Sequence, residues 1–207
     1  GIWAYGSYEL VRRKEFLMKT ASPSAGSAQP MVRIELIQPA IDQYRKWDER
    51  FESEIKEVYE DLLSRPRRAK PDLVVWPESA LPWMVDEGTE PPLVSDWARK
   101  LGAPQIVGVV SQGLDGLRRC SALLVGADGR VAGTYHKRQL VPFGEWVPFK
   151  FLADHIGILN QMGDLVPGQA RQDLLRTPLG TTAVGICYEA TFPRWNRADV
   201  GRGAVAV

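Results

Sequence analysis

The chain has 207 residues, 44% hydrophobic and 25% charged, with a formal net charge of +1. That length suits a single domain able to bury a core without disulfides or metals, and the near-neutral balance lacks the basic footprint of a nucleic-acid binder. Two cysteines, Cys120 and Cys187, cannot form a disulfide framework and have no metal-ligand spacing around them, so no metal site is expected; no cofactor is expected either.

Residues 1–30 are expected to stand apart. Trp3, Tyr5 and Tyr8 precede a basic Arg12-Arg13-Lys14 turn, which reads as an edge strand or a juxtamembrane stretch. A linker rich in Ser, Ala, Gly and Pro follows over 21–30, and the compact domain is expected over 31–207. No stretch approaches the roughly 20 continuous apolar residues that cross a bilayer. Gly1 at the start, and a final Ala204-Val205-Ala206-Val207 resembling a strand cut short, mark the chain as a piece of a longer protein. Loss of neighbouring strands would leave a bare sheet edge and poor solubility.

Val32, Ile34 and Leu36 alternate with polar residues as a strand does, ending at Gln38-Pro39. Between Lys46 and Arg65, Trp47, Phe51, Ile55, Val58 and Leu62 recur at three and four, predicting a helix with one buried face. The Arg65-Pro66-Arg67-Arg68 run is expected to cap that helix or solvate a loop. Asp72 to Trp76 reads as a short strand halted by Pro77, and Leu93, Trp97 and Leu101 as a second helix stopped by Gly102. Gln105 to Ser111 is a strand with glycine at its centre. Arg119 to Val125 and Arg130 to Tyr135 form a hairpin around Ala127-Asp128-Gly129. Lys137 to Phe149 is broken by Pro142, Gly144 and Pro148 and reads as a long functional loop. Leu174-Leu175 and Thr181 to Cys187 predict two more strands around Pro178-Leu179-Gly180, giving a layered α/β domain with a partly antiparallel sheet.

Three polar residues each follow a predicted strand: Glu78, Lys137 and Cys187. A carboxylate, an ammonium and a thiol gathered at strand ends make an acyl-transfer site. The carboxylate takes the thiol proton and later returns it. The ammonium favours thiolate and stabilises the oxyanion, with the Tyr188 N–H as a second donor. The bland alternatives stay open, with Cys187 as a small buried hydrophobe and Glu78 and Lys137 as solvated surface groups.

Trp76-Pro77-Glu78-Ser79, Lys137 with Leu140-Val141-Pro142-Phe143-Gly144-Glu145-Trp146-Val147-Pro148-Phe149, and Ile186-Cys187-Tyr188-Glu189 with Phe192-Pro193 together resemble the three motifs of the nitrilase, or carbon–nitrogen hydrolase, superfamily. More narrowly they resemble its apolipoprotein N-acyltransferase branch. The resemblance implies an αββα sandwich truncated at its C-terminus, with Glu78 as general base, Lys137 as oxyanion stabiliser and Cys187 as nucleophile. It implies supporting roles for Glu145, Tyr188 and Glu189, and a substrate cleft shaped by Trp47. Trp83, Phe143, Trp146, Phe149 and Phe151 suit a lipid-facing lid, or equally packed core and loop anchors. The reaction implied moves an acyl chain from a membrane phospholipid through a Cys187 thioester to the N-terminal amine of diacylglyceryl-cysteine on an apolipoprotein. It would take place at the periplasmic face of the bacterial inner membrane, anchored by helices of the longer protein. Alternatives are a soluble amidase or nitrilase with the same three residues, and a non-catalytic relic of the fold. Two departures stand out: Gln38-Pro39-Ala40 replaces the usual Gln-Gly-Asn, and His136 replaces a commonly polar residue beside the lysine.

Overall fold

A computed structural model describes residues 31–42, 44–142, 144–146 and 165–207. The readings made for residues 1–30, Phe143, Phe149 and Phe151 lie outside the described residues. In chain order come β1 (Ile34–Leu36), a 3-10 turn (Glu49–Phe51), α1 (Glu52–Ser64), β2 (Leu73–Val75), β3 (Met84–Asp86), α2 (Pro92–Leu101) and β4 (Gln105–Gln112). Then follow β5 (Arg118–Val125), β6 (Val131–His136), β7 (Leu175–Thr177), β8 (Gly180–Thr182), a second 3-10 turn (Cys187–Thr191) and α3 (Pro193–Gly201). Among the described residues, no helix is long and apolar enough to cross a membrane.

The main sheet runs β1-β2-β4-β5-β6, with β3 pairing the far end of β4. β1, β2 and β4 are mutually parallel, whereas β5 is antiparallel to β4 and β6 antiparallel to β5. Two reversals return β6 to the direction of β2, so the carboxyl ends of β2 and β6 lie at the same end of the sheet. Residue alternation separates its two faces. Val107, Val109, Leu123 and Val125 pack with Ile55, Tyr59 and Leu63 of α1 and with Val94, Trp97 and Ala98 of α2. Cys120, Ala122 and Tyr135 line the other face, beneath Leu165, Val184 and Ile186.

The predicted α/β class, the hairpin and the second helix hold. Gly129 has φ +81 in the β5–β6 turn, and Gly102, at φ +58, donates back to Ala98 and Arg99 to end α2. Arg67 does close α1, donating to the Leu63 carbonyl at 2.6 Å while its guanidinium pairs with Glu35.

Other expectations are corrected. The first helix begins at Glu52 rather than Lys46, because the Asp48 carboxylate accepts from the Arg50 N–H at 3.1 Å and starts a 3-10 turn there. Trp47 therefore precedes the helix and is exposed, and the fully buried stripe is Ile55, Tyr59 and Leu63. Leu36 is exposed and Ile37 takes the core position instead. The strand expected over Thr181 to Cys187 ends at Thr182, so residues 183–186 approach Cys187 outside any ladder. β3 and α3 are additions, and α3 escapes periodicity because Pro193 to Gly201 carries too few apolar residues to mark a buried stripe.

Candidate active site

Glu78 is placed by an interruption in the pairing of β2 with β4. The Trp76 N–H donates to Ile106 O at 2.8 Å; the next residue, Pro77, has no N–H to give. The chain lifts away and rejoins when Ala80 donates to Gly108 O at 2.6 Å. The arc passes so close over Gly108 that a Cβ there would lie 2.5 Å from Pro77 O and 2.6 Å from Glu78 Cα. Ser79 takes φ +46 to complete it. Lys46 also holds the arc, its ammonium donating to Glu78 O at 2.9 Å. Behind the arc, Trp76 is anchored in the helix-side core by Tyr59, with ring centroids 4.8 Å apart, and by Gln105 Oε1 at 2.6 Å.

Lys137 continues β6. Its N–H donates to Cys120 O at 2.8 Å and its carbonyl accepts from Gly168 at 2.9 Å. The side chain is fully buried, yet its ammonium lies 3.2 Å from Glu78 Oε1 and 2.5 Å from Glu145 Oε1. Glu145 is held in turn, its Oε2 accepting the Val141 N–H at 3.0 Å. Burial alone would pull the Lys137 pKa down, but the Glu145 hydrogen bond and the charges of Glu78 and Glu145 outweigh it and leave the pKa raised. The site therefore holds a fixed cation between two carboxylates. Glu78 is the more open of the two, with 35% of its side chain exposed against 19% for Glu145. A fixed ammonium can donate to an oxyanion while the exposed carboxylate exchanges a proton.

Two thiols compete for the nucleophile's role. Cys120 lies nearer the carboxylate, with Sγ 3.5 Å from Glu78 Oε1, but it is buried and its pKa is pushed up to about 12, by burial first and then by the Glu78 charge. A thiol held neutral and sealed from substrate is inert. Cys187 is exposed and opens the second 3-10 turn at φ +51. Among the described residues it makes no hydrogen bond to Glu78, Lys137 or Glu145. The structure thus joins Glu78, Lys137 and Glu145 by ion pairs and presents Cys187 on a strained turn.

Glu189 is fully buried and closes that turn, its Oε2 accepting the Ile186 N–H at 3.1 Å. Tyr188 is exposed and stacks edge-on against Phe192. Trp47 and Trp146 are exposed, with Trp146 bridging Pro142 within the loop that carries Glu145. Trp83 packs against the helix-side core, with the Lys56 ammonium 4.7 Å from its ring centroid. His136 points away from Lys137, its Nδ1 2.7 Å from Ser121 Oγ and its Nε2 3.6 Å from Glu87.

Sequence reasoning passed over Lys46, Gly108, Cys120, Arg138 and Asp199. Gly108 carried a legible signal, since a glycine within a strand often marks close backbone approach. Arg138 adjoins Lys137 in sequence. Nothing local distinguishes Asp199.

A family model described as carbon–nitrogen hydrolase matches residues 34–205. An apolipoprotein N-acyltransferase of Geobacter metallireducens is 38% identical over 178 residues, covering 83% of this chain and 34% of that protein. One from Rhizobium rhizogenes is 33% identical over 207 residues, covering 92% and 37%. The chain thus spans about a third of the length of these relatives. Two crystal structures share the fold: a carbon–nitrogen hydrolase from Helicobacter pylori, at TM-score 0.56 and 21% identity over 84% of this chain and 57% of that one, and Saccharomyces cerevisiae Nit3, a nitrilase-superfamily member, at TM-score 0.55 and 19% identity over 84% and 61%.

Proposed function

From its membership of the carbon–nitrogen hydrolase family, to which this chain belongs, we propose that it is the catalytic segment of an apolipoprotein N-acyltransferase. In this reading residues 31–207 carry the catalytic domain, residues 1–30 lead to it from the membrane, and the site faces the periplasm of an inner membrane. The observation that carries the chemistry is the buried Lys137 ammonium clamped between Glu78 and Glu145. A cation fixed this way is available for a transition-state charge without reorganisation.

The first half-reaction starts when Glu78 takes the Cys187 thiol proton as sulfur attacks an ester carbonyl of a phospholipid. The carbonyl electrons move to oxygen, opposite Lys137 and the Tyr188 N–H. Collapse breaks the acyl C–O bond, and Glu78 gives its proton to the departing alkoxide, releasing a lysophospholipid. In the second half-reaction the amine of a diacylglyceryl-cysteine attacks the thioester, Glu78 accepts an amine proton, the C–S bond breaks and the proton returns to sulfur. Splitting the exchange at a thioester turns one difficult amide synthesis into two easier displacements. Trp47, Trp83, Phe143 and Trp146 are assigned in this reading to substrate binding. No cofactor or metal has a step in it.

The test is intact mass of the whole protein containing this chain, in phospholipid vesicles. A gain of one acyl chain, labile to hydroxylamine and absent in Cys187→Ser, is expected. Glu78→Gln and Lys137→Met should slow its appearance on the order of 10²–10³-fold. A folded, membrane-inserted protein that never acquires the adduct overturns the reading. Ammonia release from small amides would then indicate a hydrolase.

A further inference from the structure

The residues following Lys137 and Cys187 are joined by a buried ion network that the chemistry above does not use. The Arg138 guanidinium meets Asp199 of α3 through two contacts, Nη2 to Oδ2 at 2.7 Å and Nη1 to Oδ1 at 3.2 Å. Both side chains are almost completely buried. Arg138 Nε donates to Tyr135 Oη at 2.9 Å and lies 3.4 Å from Glu189 Oε1. That Glu189 oxygen also accepts the Arg138 main-chain N–H at 2.9 Å, while the other accepts the Ile186 N–H at 3.1 Å. One carboxylate therefore ties the peptide after Lys137 to the peptide before Cys187.

The residue before Lys137 is held from the same anchor. Arg202 reaches Asp199 Oδ1 at 3.2 Å and also donates to the Gln172 carbonyl. The Gln172 amide brackets the His136 backbone, accepting its N–H at 2.8 Å and donating to its carbonyl at 2.7 Å. Two arginines and two carboxylates balance in charge, so no ion is left uncompensated.

We propose that Asp199 and Arg138 are positioning residues for the nucleophile: Asp199 fixes the Arg138 guanidinium against Glu189, and Glu189 fixes the Cys187 turn to the Lys137 strand end. The proposal rests on the reading of Cys187 as nucleophile. Its physical ground is that a buried ion pair contributes little net stability over well-packed apolar residues of similar volume, whereas its geometry is demanding. A network spanning β6, the Cys187 turn and α3 therefore sets register, since displacing any one element breaks several charged hydrogen bonds together.

The test uses Asp199→Asn, and the double variant Arg138→Met with Asp199→Asn, which removes both charges at nearly constant volume. Both are made in the whole protein. Peptide-resolved carbamidomethylation by iodoacetamide reports on Cys187 separately from Cys120 and needs no acyl substrate. The Cys187 rate is expected to change at least about fivefold in both variants, and the double variant, which leaves the buried Glu189 without its guanidinium, is expected to melt below wild type. Single-turnover thioester formation should slow about tenfold or more, with half-saturation by phospholipid vesicles unchanged within about twofold.

Cys187 alkylation within about twofold of wild type overturns the proposal, as does a lower Tm accompanied by wild-type alkylation, which would make the pair purely structural. If the double variant does not fold, Asp199→Asn decides alone. If the wild type forms no thioester, the proposed function fails while the alkylation ratio still decides the positioning role.

Discussion

Ser79 and Cys187 adopt φ +46 and +51, a region that costs a non-glycine residue roughly 1–2 kcal/mol. One follows the candidate base and the other is the candidate nucleophile, so local strain sits at the two places where a side chain must be aimed away from regular backbone. Ala40 is also left-handed, at φ +53, where the family pattern has an asparagine better suited to that conformation. The Glu78 arc depends on a residue thirty positions away, because Gly108 provides the space it crosses. Gly108→Ala would place a methyl group 2.5–2.8 Å from Pro77, Glu78 and Ser79 backbone atoms, none of which belongs to a flexible side chain. The expected result is a stability loss of about 1–3 kcal/mol by urea unfolding, together with slower thioester formation as Glu78 moves off Lys137. A variant with wild-type stability and wild-type acylation would show that the arc is not rigidly seated.

At the scale of elements, the site is assembled from ends. β2 ends at a proline and delivers Glu78, β6 ends beside Cys120 and delivers Lys137, and a 3-10 turn begins with Cys187. Helices α1 and α2 stay on the opposite face and supply the core that stiffens the sheet. The stop of α2 matters because Ala103 and Gln105 must follow at once to enter β4, and Gly102 makes that reversal at φ +58. Gly102→Ala is expected to cost about 1 kcal/mol in denaturant unfolding without altering Cys187 alkylation. The space there is shared only with the mobile end of Lys70, so the cost is conformational rather than steric.

For the whole molecule, buried titratable groups define a window of stability. Burial pushes the Cys120 pKa up to about 12 and raises those of Tyr59 and Tyr135, while the Lys137 pKa is raised because its carboxylates outweigh the opposing effect of burial. Each raised group holds its proton more tightly folded than unfolded, so each contribution is present at low pH and lost as pH rises. The decline should begin near the unfolded thiol value of about 8.5 and steepen above about 10, where unfolded tyrosine and lysine titrate. His136 acts oppositely. Burial lowers its pKa against the pull of Glu87, so its contribution is lost as pH falls below about 6.5. Tm against pH is therefore expected to plateau between about 6.5 and 8.5, with Cys120→Ala delaying the alkaline decline towards about 10. A Tm unchanged from pH 7 to 11 would contradict these buried-state assignments.

Local chemistry determined a good deal. Proline after a strand, glycine after aspartate in a hairpin and glycine at a helix end are constraints within a few residues, so Pro77, Gly129 and Gly102 were legible, and with them the positions of Glu78 and Lys137. Hydrophobic period located α1 but misplaced its start, because the turn at Asp48 is set by a side-chain hydrogen bond that apolar spacing does not register. Cys187 was legible as a turn thiol, although the strand expected to lead into it stops at Thr182. Tertiary structure alone decided that the Glu145 carboxylate meets the Lys137 ammonium directly, that Cys120 Sγ lies 3.5 Å from Glu78, and that Asp199 pairs with Arg138 beside Lys137. Those facts depend on backbones separated by up to 61 residues meeting across a sheet, as Arg138 and Asp199 do. Electrostatics and hydrogen bonding act over a few ångströms of space, whatever the distance along the chain.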